Sequence, residues 1–234
     1  MIQVYSIVLW ANPYEMSLEE AAEKCYCLLS ALSMYGEELM PKYLSARRKR
    51  DVKDFVLTLQ NVQELIEKNV NKESNKVFYE LGSSMSFFSS FDEGQSCRIS
   101  IKISRCLNSN ITNTLVIKLP YEHFSGLDER RADFEKLFKE LVCIFNPYYG
   151  FVENNQNQQI DEYYWRNDKP TFLHWMNYFS TETMCKIGMD KLGYLLGYEK
   201  MPNGYFYKLQ ESAIDINKRS HLLRQKEITN LLGL

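Results

Sequence analysis

The feature of this sequence that most restricts its fold is a series of segments between residues 77 and 119 in which apolar and polar residues alternate. Residues 98–104 place isoleucines on one face and polar residues on the other, and residues 112–119 alternate in the same way. Residues 77–81 and 85–91 are two further predicted strands. A period of two is that of a β-strand, and the short turn-rich links between the segments predict an antiparallel meander.

Helical segments flank this meander. After a predicted first strand over residues 2–11, the sequence Ser17-Leu18-Glu19-Glu20 is a capping box that opens a helix. Residues 62–70 predict a second, short helix. The clearest apolar stripe at helical spacing lies over residues 127–145, and Asn146-Pro147 ends that helix. The order β-α-α-β-β-β-α predicts an α+β fold in which helices pack on an antiparallel sheet.

The last third of the chain contains its most aromatic strand candidate. Residues 172–180, Phe-Leu-His-Trp-Met-Asn-Tyr-Phe-Ser, are largely apolar on both faces, which predicts a strand buried on two sides. The other elements predicted here are strands over 148–152 and 205–209, a hairpin turn at 202–204, and helices over 181–191 and 218–232. Because no linker interrupts the chain, we predict one compact domain over residues 1–234, with 1–146 and 147–234 as its substructures.

Composition restricts the compartment and the class of partner. The net charge of −2 provides no bulk attraction for nucleic acid or an anionic membrane. The six cysteines are scattered in sequence, which predicts reduced and mostly buried thiols rather than a disulfide framework. The apolar N-terminal run lacks a basic leader, and no run of about 18 apolar residues occurs. We therefore expect a cytoplasmic protein with no membrane partner.

Residues with catalytic or metal-binding chemistry are few. None of the three histidines has another His, Cys or carboxylate at metal-ligand spacing, and no nucleotide-binding or hydrolase motif occurs. We therefore predict no cofactor and no metal. His174 lies in a predicted buried strand, so a neutral core histidine is favoured over a catalytic base. An enzyme that uses His174 with a carboxylate stays an alternative.

A basic segment, residues 42–53, opens a second alternative, a nucleic-acid-binding module. It holds six cations against one acid, Asp51. The favoured interpretation is a solvated surface segment, because the rest of the chain cancels its charge.

Residues 153–165 are the predicted partner-binding surface. An amide-rich stretch precedes two acids and three large aromatic side chains, a combination typical of protein interfaces. The residues we assign to the interface are Glu153, Asp161, Glu162 and Tyr164. The alternative is that Tyr163 and Trp165 alternate into the core while the acids only increase solubility.

Residues 146–232 resemble a known family. The strand Leu173-His174-Trp175-Met176-Asn177-Tyr178-Phe179-Ser180 follows Pro147-Tyr148-Tyr149-Gly150, and it precedes the hairpin Asn203-Gly204-Tyr205 and the pattern Asp215-x-Asn217-x-x-x-His221. Together these motifs resemble the immunity proteins of bacterial polymorphic toxin systems, of the type called immunity protein 52. His174 departs from the family pattern, which has a glycine before the tryptophan.

The resemblance implies a cytoplasmic, non-enzymatic protein that binds one toxin domain, often a nuclease, and blocks it by stoichiometric occlusion. It also implies that Trp175, Tyr178 and His221 support the scaffold, whereas the partner is recognised by variable surface. A nuclease has a cationic substrate cleft, which an acidic and aromatic surface would fit electrostatically.

Overall fold

A computed structural model describes residues 4–46, 48–73, 76–92, 94–107, 111–120, 127–154, 165–166 and 169–234. The strands are β1 Val4–Ala11, β2 Tyr43–Leu44, β3 Lys53–Asp54, β4 Lys72–Glu73, β5 Lys76–Val77, β6 Ser83–Phe88, β7 Arg98–Ile103, β8 Asn113–Pro120, β9 Tyr149–Asn154, β10 Trp165–Arg166, β11 Lys169–Pro170, β12 Met176–Ser180, β13 Glu199–Met201 and β14 Gly204–Lys208. The α-helices are α1 Leu18–Tyr35, α2 Leu59–Lys68, α3 Leu127–Phe145, α4 Thr181–Ile187 and α5 Arg219–Leu232.

A ten-stranded antiparallel sheet organises these elements, in the order β13-β14-β12-β9-β1-β8-β7-β6-β2-β3. The α+β class predicted from the sequence is therefore confirmed. The sheet runs through both predicted substructures, because β9 pairs with β1 on one side and with β12 on the other. Of the helices in the described residues, none is long and apolar enough to cross a membrane.

One face of the sheet packs against the layer formed by α1, α2 and α3. The inward residues of the meander, such as Ile99 and Ile117, are completely buried, and α3 adds a stripe that includes Phe134 and Phe138. The predicted capping box opens α1: Ser17 Oγ accepts from the Glu20 amide at 3.1 Å, and the Glu20 carboxylate accepts from the Ser17 amide at 2.7 Å. The alternating pattern and the cap therefore produced the elements that the sequence predicts.

Two glycines allow close packing in the C-terminal half of the sheet. A Cβ on Gly150 would lie 2.5 Å from Leu9 Cδ2, and one on Gly204 would lie 2.2 Å from the Phe179 carbonyl oxygen. Any larger residue at Gly204 would collide with backbone, so the β13–β14 hairpin requires glycine there.

Several predictions of local structure were wrong. Residues 77–81 form the end of β5 and a 3-10 turn, Tyr79–Leu81, rather than one strand. The helix predicted over 181–191 ends at Ile187, because Gly188 has a φ of 122° and a 3-10 helix, Met189–Tyr194, follows. The predicted strand over 172–180 begins only at Met176.

The start of that strand is replaced by a tight loop. The Asn177 side chain binds the backbone of His174 twice: Oδ1 accepts from the His174 amide and Nδ2 donates to the His174 carbonyl, both at 2.9 Å. This side chain–backbone contact satisfies the backbone groups of His174 locally, so His174 needs no strand partner, whereas the Trp175 backbone still bonds to Val152 and Leu209.

The cysteines are all free, as predicted, but most are not buried. Only Cys25 and Cys97 are buried, and burial raises the pKa of the Cys25 thiol to about 12.

Candidate interaction surface

The second face of the sheet differs between its two ends. Antiparallel register places paired residues on the same face, so a row can be followed from β14 to β6: Tyr207, Asn177, Phe151, Val8, Val116, Ser100 and Ser86. The row is buried from Tyr207 to Val8, half-buried at Val116, and exposed at Ser100 and Ser86. This face is therefore covered at its C-terminal end and open over β6, β7 and β8.

The cover at the C-terminal end comes from α5 and the loop before β12. Phe206 packs on Phe138 of α3, whereas its neighbour Tyr207 lies beside Arg224 of α5, whose Nε donates to the Leu209 carbonyl at 2.8 Å. Successive residues of a strand point to opposite faces, so α5 lies on the face opposite α3. Thr229 of α5 also accepts from the Leu173 amide at 3.2 Å, which fixes the loop beneath it.

We call the uncovered surface the open face. It consists of the outward residues of β6, β7 and β8 whose side chains are described: Ser84, Ser86, Phe88, Arg98, Ser100, Lys102, Thr114, Val116 and Lys118. Seven of these nine side chains are polar or cationic, and none is acidic. The inward residues of the same strands are the buried isoleucines and leucines of the core.

A cavity of about 650 Å³ lies on the open face. Its described polar lining is Ser45, Ser86, Ser90, Ser96, Ser100, Arg98 and Lys118. Apolar side chains, including Phe88, Phe91 and Val116, line the rest, and no carboxylate occurs among the described lining residues. Volumes of this size are typical of ligand and side-chain pockets, and this lining favours an anionic occupant.

Three aromatic rings stand at the edge of this cavity, and we call them the aromatic cluster. Tyr43 lies 5.1 Å from Phe88 and 4.4 Å from Phe91, measured between ring centroids, and Phe88 and Phe91 lie 5.5 Å apart. Phe91 is 47% exposed, which is unusual for a phenylalanine in a packed cluster. The cluster therefore offers apolar area to solvent directly beside cationic side chains.

The basic segment, residues 42–53, borders the same cavity. It forms the edge strands β2 and β3 with a short 3-10 turn between them, and the described side chains of Arg48, Arg50 and Lys53 are exposed. Lys42 Nζ lies 3.7 Å from Glu37, and Arg50 lies 3.9 Å from Asp51. The segment is a solvated edge, the interpretation that the sequence favoured.

His174 is sealed inside the covered half. Its side chain is 2% exposed, its ring stacks on Phe151 with centroids 4.0 Å apart, and the tilted ring of Phe172 lies at 4.5 Å. Burial lowers the pKa of His174 to about 3, so the ring is neutral at physiological pH. Its Nδ1 lies 3.8 Å from Glu153 Oε2, and because the ring is neutral this contact does not join two opposite charges.

The four residues predicted to contact a partner have different outcomes. Glu153 is at the end of β9 and is 4% exposed, so the prediction that it lies in a surface loop was wrong. Strand pairing extends through Asn154, which directs the Glu153 side chain towards His174. Asp161, Glu162 and Tyr164 lie outside the described residues, as does the segment 155–164 that contains them.

The residues implied to be scaffold are interior or used in local structure. Trp175 is 2% exposed and Tyr178 is 1% exposed. His221 accepts from the Asp215 amide at 3.1 Å through Nδ1, which holds the turn that enters α5. No group of three His, Cys, Asp or Glu side chains that could hold a metal occurs among the described residues.

Sequence reasoning missed the open face, although a signal for it was present. The outward positions of 98–104 and 112–119 are mostly polar, whereas both faces of 172–180 are apolar. That contrast indicates which strands are covered on both faces. No pattern in the sequence predicts the aromatic cluster, because Tyr43 and Phe88 become neighbours only through the pairing of β2 with β6.

Comparisons with known proteins identify a similar fold. No protein-family model matches this chain, and no curated protein matches it by sequence. Among solved structures, the chain is similar to Pseudomonas aeruginosa T6SS protein PA0821, with a TM-score of 0.66 over 98% of this chain and 73% of that chain. The two sequences are 10% identical, so the likeness shows a shared fold.

Proposed function

We propose that this chain is an immunity protein that binds a cognate bacterial toxin domain and neutralises it by stoichiometric occlusion. The observation that carries the proposal is the open face, a sheet surface with a cavity, cations and a partly exposed aromatic cluster, in a sheet whose strands β9, β12 and β14 are packed on both faces. Surfaces that combine aromatic and arginine side chains are typical of protein interfaces.

Two further observations support this proposal. Residues 146–232 resemble immunity protein 52, and their motifs occupy scaffold positions, as with the buried Trp175 and the turn held by His221. The structural neighbour is a T6SS protein, which supports a role associated with a bacterial secretion system.

The protein acts by binding rather than by catalysis. The sealed position of His174 supports this statement, because the alternative enzyme would have used that side chain as its base. We also propose a cytoplasmic location.

Co-expression tests the proposed function. The toxin candidate is the product of the reading frame adjacent to this chain, expressed in a bacterial host with and without it. We expect this chain to restore growth and to co-purify with the toxin in equal amounts. If no neighbouring product is toxic, or if toxicity persists although this chain is folded and abundant, the proposal is wrong.

The acidic segment stays a prediction that the same assay can test. If Asp161, Glu162 and Tyr164 contact a cationic cleft, the charge reversals Asp161→Lys and Glu162→Lys should abolish protection without lowering the amount of folded protein. Glu153→Gln is the control. Because the Glu153 side chain is buried, we expect this substitution to change the stability of the fold rather than the contact with the toxin.

A further inference from the structure

The two cations of the open face are direct neighbours. Arg98 of β7 is the register partner of Lys118 of β8, and both side chains are exposed. Directly opposite residues on one face have Cβ atoms about 4.5–5.5 Å apart, so one anionic group can reach both side chains at once.

Hydroxyl donors surround this pair of cations. Ser100 and Ser86 lie on the same face of β7 and β6, with their Oγ atoms 3.2 Å apart. They line the cavity together with Arg98 and Lys118. An arginine can bind a carboxylate through two parallel hydrogen bonds, and serine hydroxyls donate to the oxygens that remain.

The aromatic cluster continues the same row of the sheet. Arg98 pairs across the strands with Phe88, and Phe88 pairs with Tyr43. A ligand that reaches the cations therefore also meets the half-buried Phe88 and the exposed Phe91. Cationic side chains are thus followed along the row by aromatic rings. This arrangement fits a polypeptide that carries acidic side chains next to an apolar side chain.

We propose that the open face binds an acidic segment of the partner protein, with its carboxylates between Arg98 and Lys118 and an apolar side chain in the neighbouring cavity. This inference rests on the proposed function and names the chemistry of the surface that the toxin presents. It assigns the recognition of acidic groups to the open face, whereas the prediction for Asp161 and Glu162 concerns the recognition of cationic groups.

A protein is favoured over nucleic acid as the occupant. A nucleic acid backbone is bound by cations that follow it over many phosphates, and its binding usually accompanies a strongly basic domain. Here the chain carries a net charge of −2, and the nearby Lys42 and Arg50 of the basic segment lie beside Glu37 and Asp51.

Charge reversal with a matched control tests the inference. The variant Arg98→Glu/Lys118→Glu is compared with Lys200→Glu/Lys226→Glu, which changes net charge equally at exposed lysines on β13 and α5. With the toxin domain as ligand, we expect the first variant to bind about 100-fold more weakly, at about 10-fold per reversed residue, and the control to bind as the original protein does. The difference should shrink in high salt.

A second measurement separates this inference from the proposed function. Backbone amide chemical shifts are recorded during titration with an oligoglutamate peptide, and separately with duplex DNA. We expect oligoglutamate to shift the amides of Arg98, Ser100 and Lys118, and the reversed variant to lose these shifts. Its unfolding midpoint, measured in the same samples, should stay close to that of the original protein, because both positions are exposed and two opposed glutamates replace two opposed cations.

The outcomes are distinct. If the original protein neutralises the toxin and the reversed variant neutralises it equally well, the inference is overturned and the proposed function stands. If the original protein does not neutralise the toxin, the proposed function fails, and the oligoglutamate titration still decides whether the open face binds acidic peptide. Shifts caused by DNA but not by oligoglutamate overturn the inference in favour of nucleic acid.

Discussion

The two ends of the sheet have the same strand geometry but different surroundings. In β9, β12 and β14 both faces are packed, so Phe151, Asn177 and Tyr207 are buried on the face opposite α3. In β6, β7 and β8 the equivalent positions are Ser86, Ser100 and Val116, two of them exposed. The two halves therefore differ in what their outward side chains do. In the covered half these side chains stabilise the fold, whereas in the open half they can be substituted with little change in the free energy of unfolding.

The largest expected effect tests the covered half. Trp175→Ala removes a buried ring that is stacked on Phe134 at 6.0 Å and lies 6.2 Å from Tyr5. We expect unfolding free energy to fall by about 3–5 kcal/mol in urea titrations. Val116→Ala on the open face is the matched control, with an expected loss below about 1 kcal/mol. Equal losses would remove the distinction between the halves.

An acid titration probes the same interior. Burial lowers the pKa of His174 from 6.5 to about 3, so between these values the unfolded chain binds a proton that the folded chain does not. Stability from this group is therefore complete above pH 6.5 and is lost as pH falls towards 3, with a slope of up to about 1.4 kcal/mol per pH unit.

The variant His174→Phe isolates this contribution. Comparing its unfolding free energy with that of the original protein from pH 7 to pH 4 removes the contributions of the carboxylates common to both. Parallel curves would contradict the lowered pKa, because they would mean that His174 binds a proton as readily in the folded state as in the unfolded state.

A smaller effect is expected at the rim of the covered half. Glu135 of α3 accepts from Lys139 and from Lys208 of β14, both at 2.8 Å. Burial raises the pKa of Glu135, but the hydrogen bonds and charges of the two lysines outweigh it, so the pKa is lowered overall. The stability that this carboxylate contributes is present above its unfolded pKa and is lost as pH falls through its folded pKa.

Glu135→Gln should lower unfolding free energy by about 1 kcal/mol at neutral pH. The control is Glu182→Gln, whose pair with Lys186 at 2.9 Å lies on an exposed turn of α4 and should contribute at most about 0.5 kcal/mol. Thermal unfolding at low salt compares the two, and a larger loss for Glu182→Gln would contradict the assignment.

The smallest expected effect has the opposite sign. Lys118→Thr removes a cation beside Arg98 and introduces a good strand former, so we expect stability to rise by about 0.5 kcal/mol at low salt. Lys102→Thr on the same face is the control, because its register partners are Ser84 and Thr114 rather than a cation. A loss of stability in Lys118→Thr alone would show that the lysine serves the fold.

Much of the fold could be predicted from local pattern. The strands around Ile99 and Ile117 and the helix from Leu127 to Phe145 follow from periodicity, and the first helix follows from its cap. The strand predicted to begin at Phe172 failed because Asn177 binds the His174 backbone, a contact that alternation does not reveal.

The candidate site was less predictable. The surface segment predicted from composition begins at Glu153, but strand pairing with Ser6 continues through that residue and buries it. Composition indicates that amide-rich segments favour the surface, yet the point at which a strand ends depends on its neighbours in the sheet.

By itself, the sequence determined the elements whose signal is carried by residues close in the chain: alternation with period two, apolar stripes at helical spacing, and the cap at Ser17. Local backbone geometry sets those periods, so no distant contact is needed to recognise them. Only the tertiary structure decided that Arg98 stands beside Lys118 and that Tyr43 meets Phe88. Strand register and the one-sided cover of the sheet create the open face, and both depend on contacts between segments far apart in sequence.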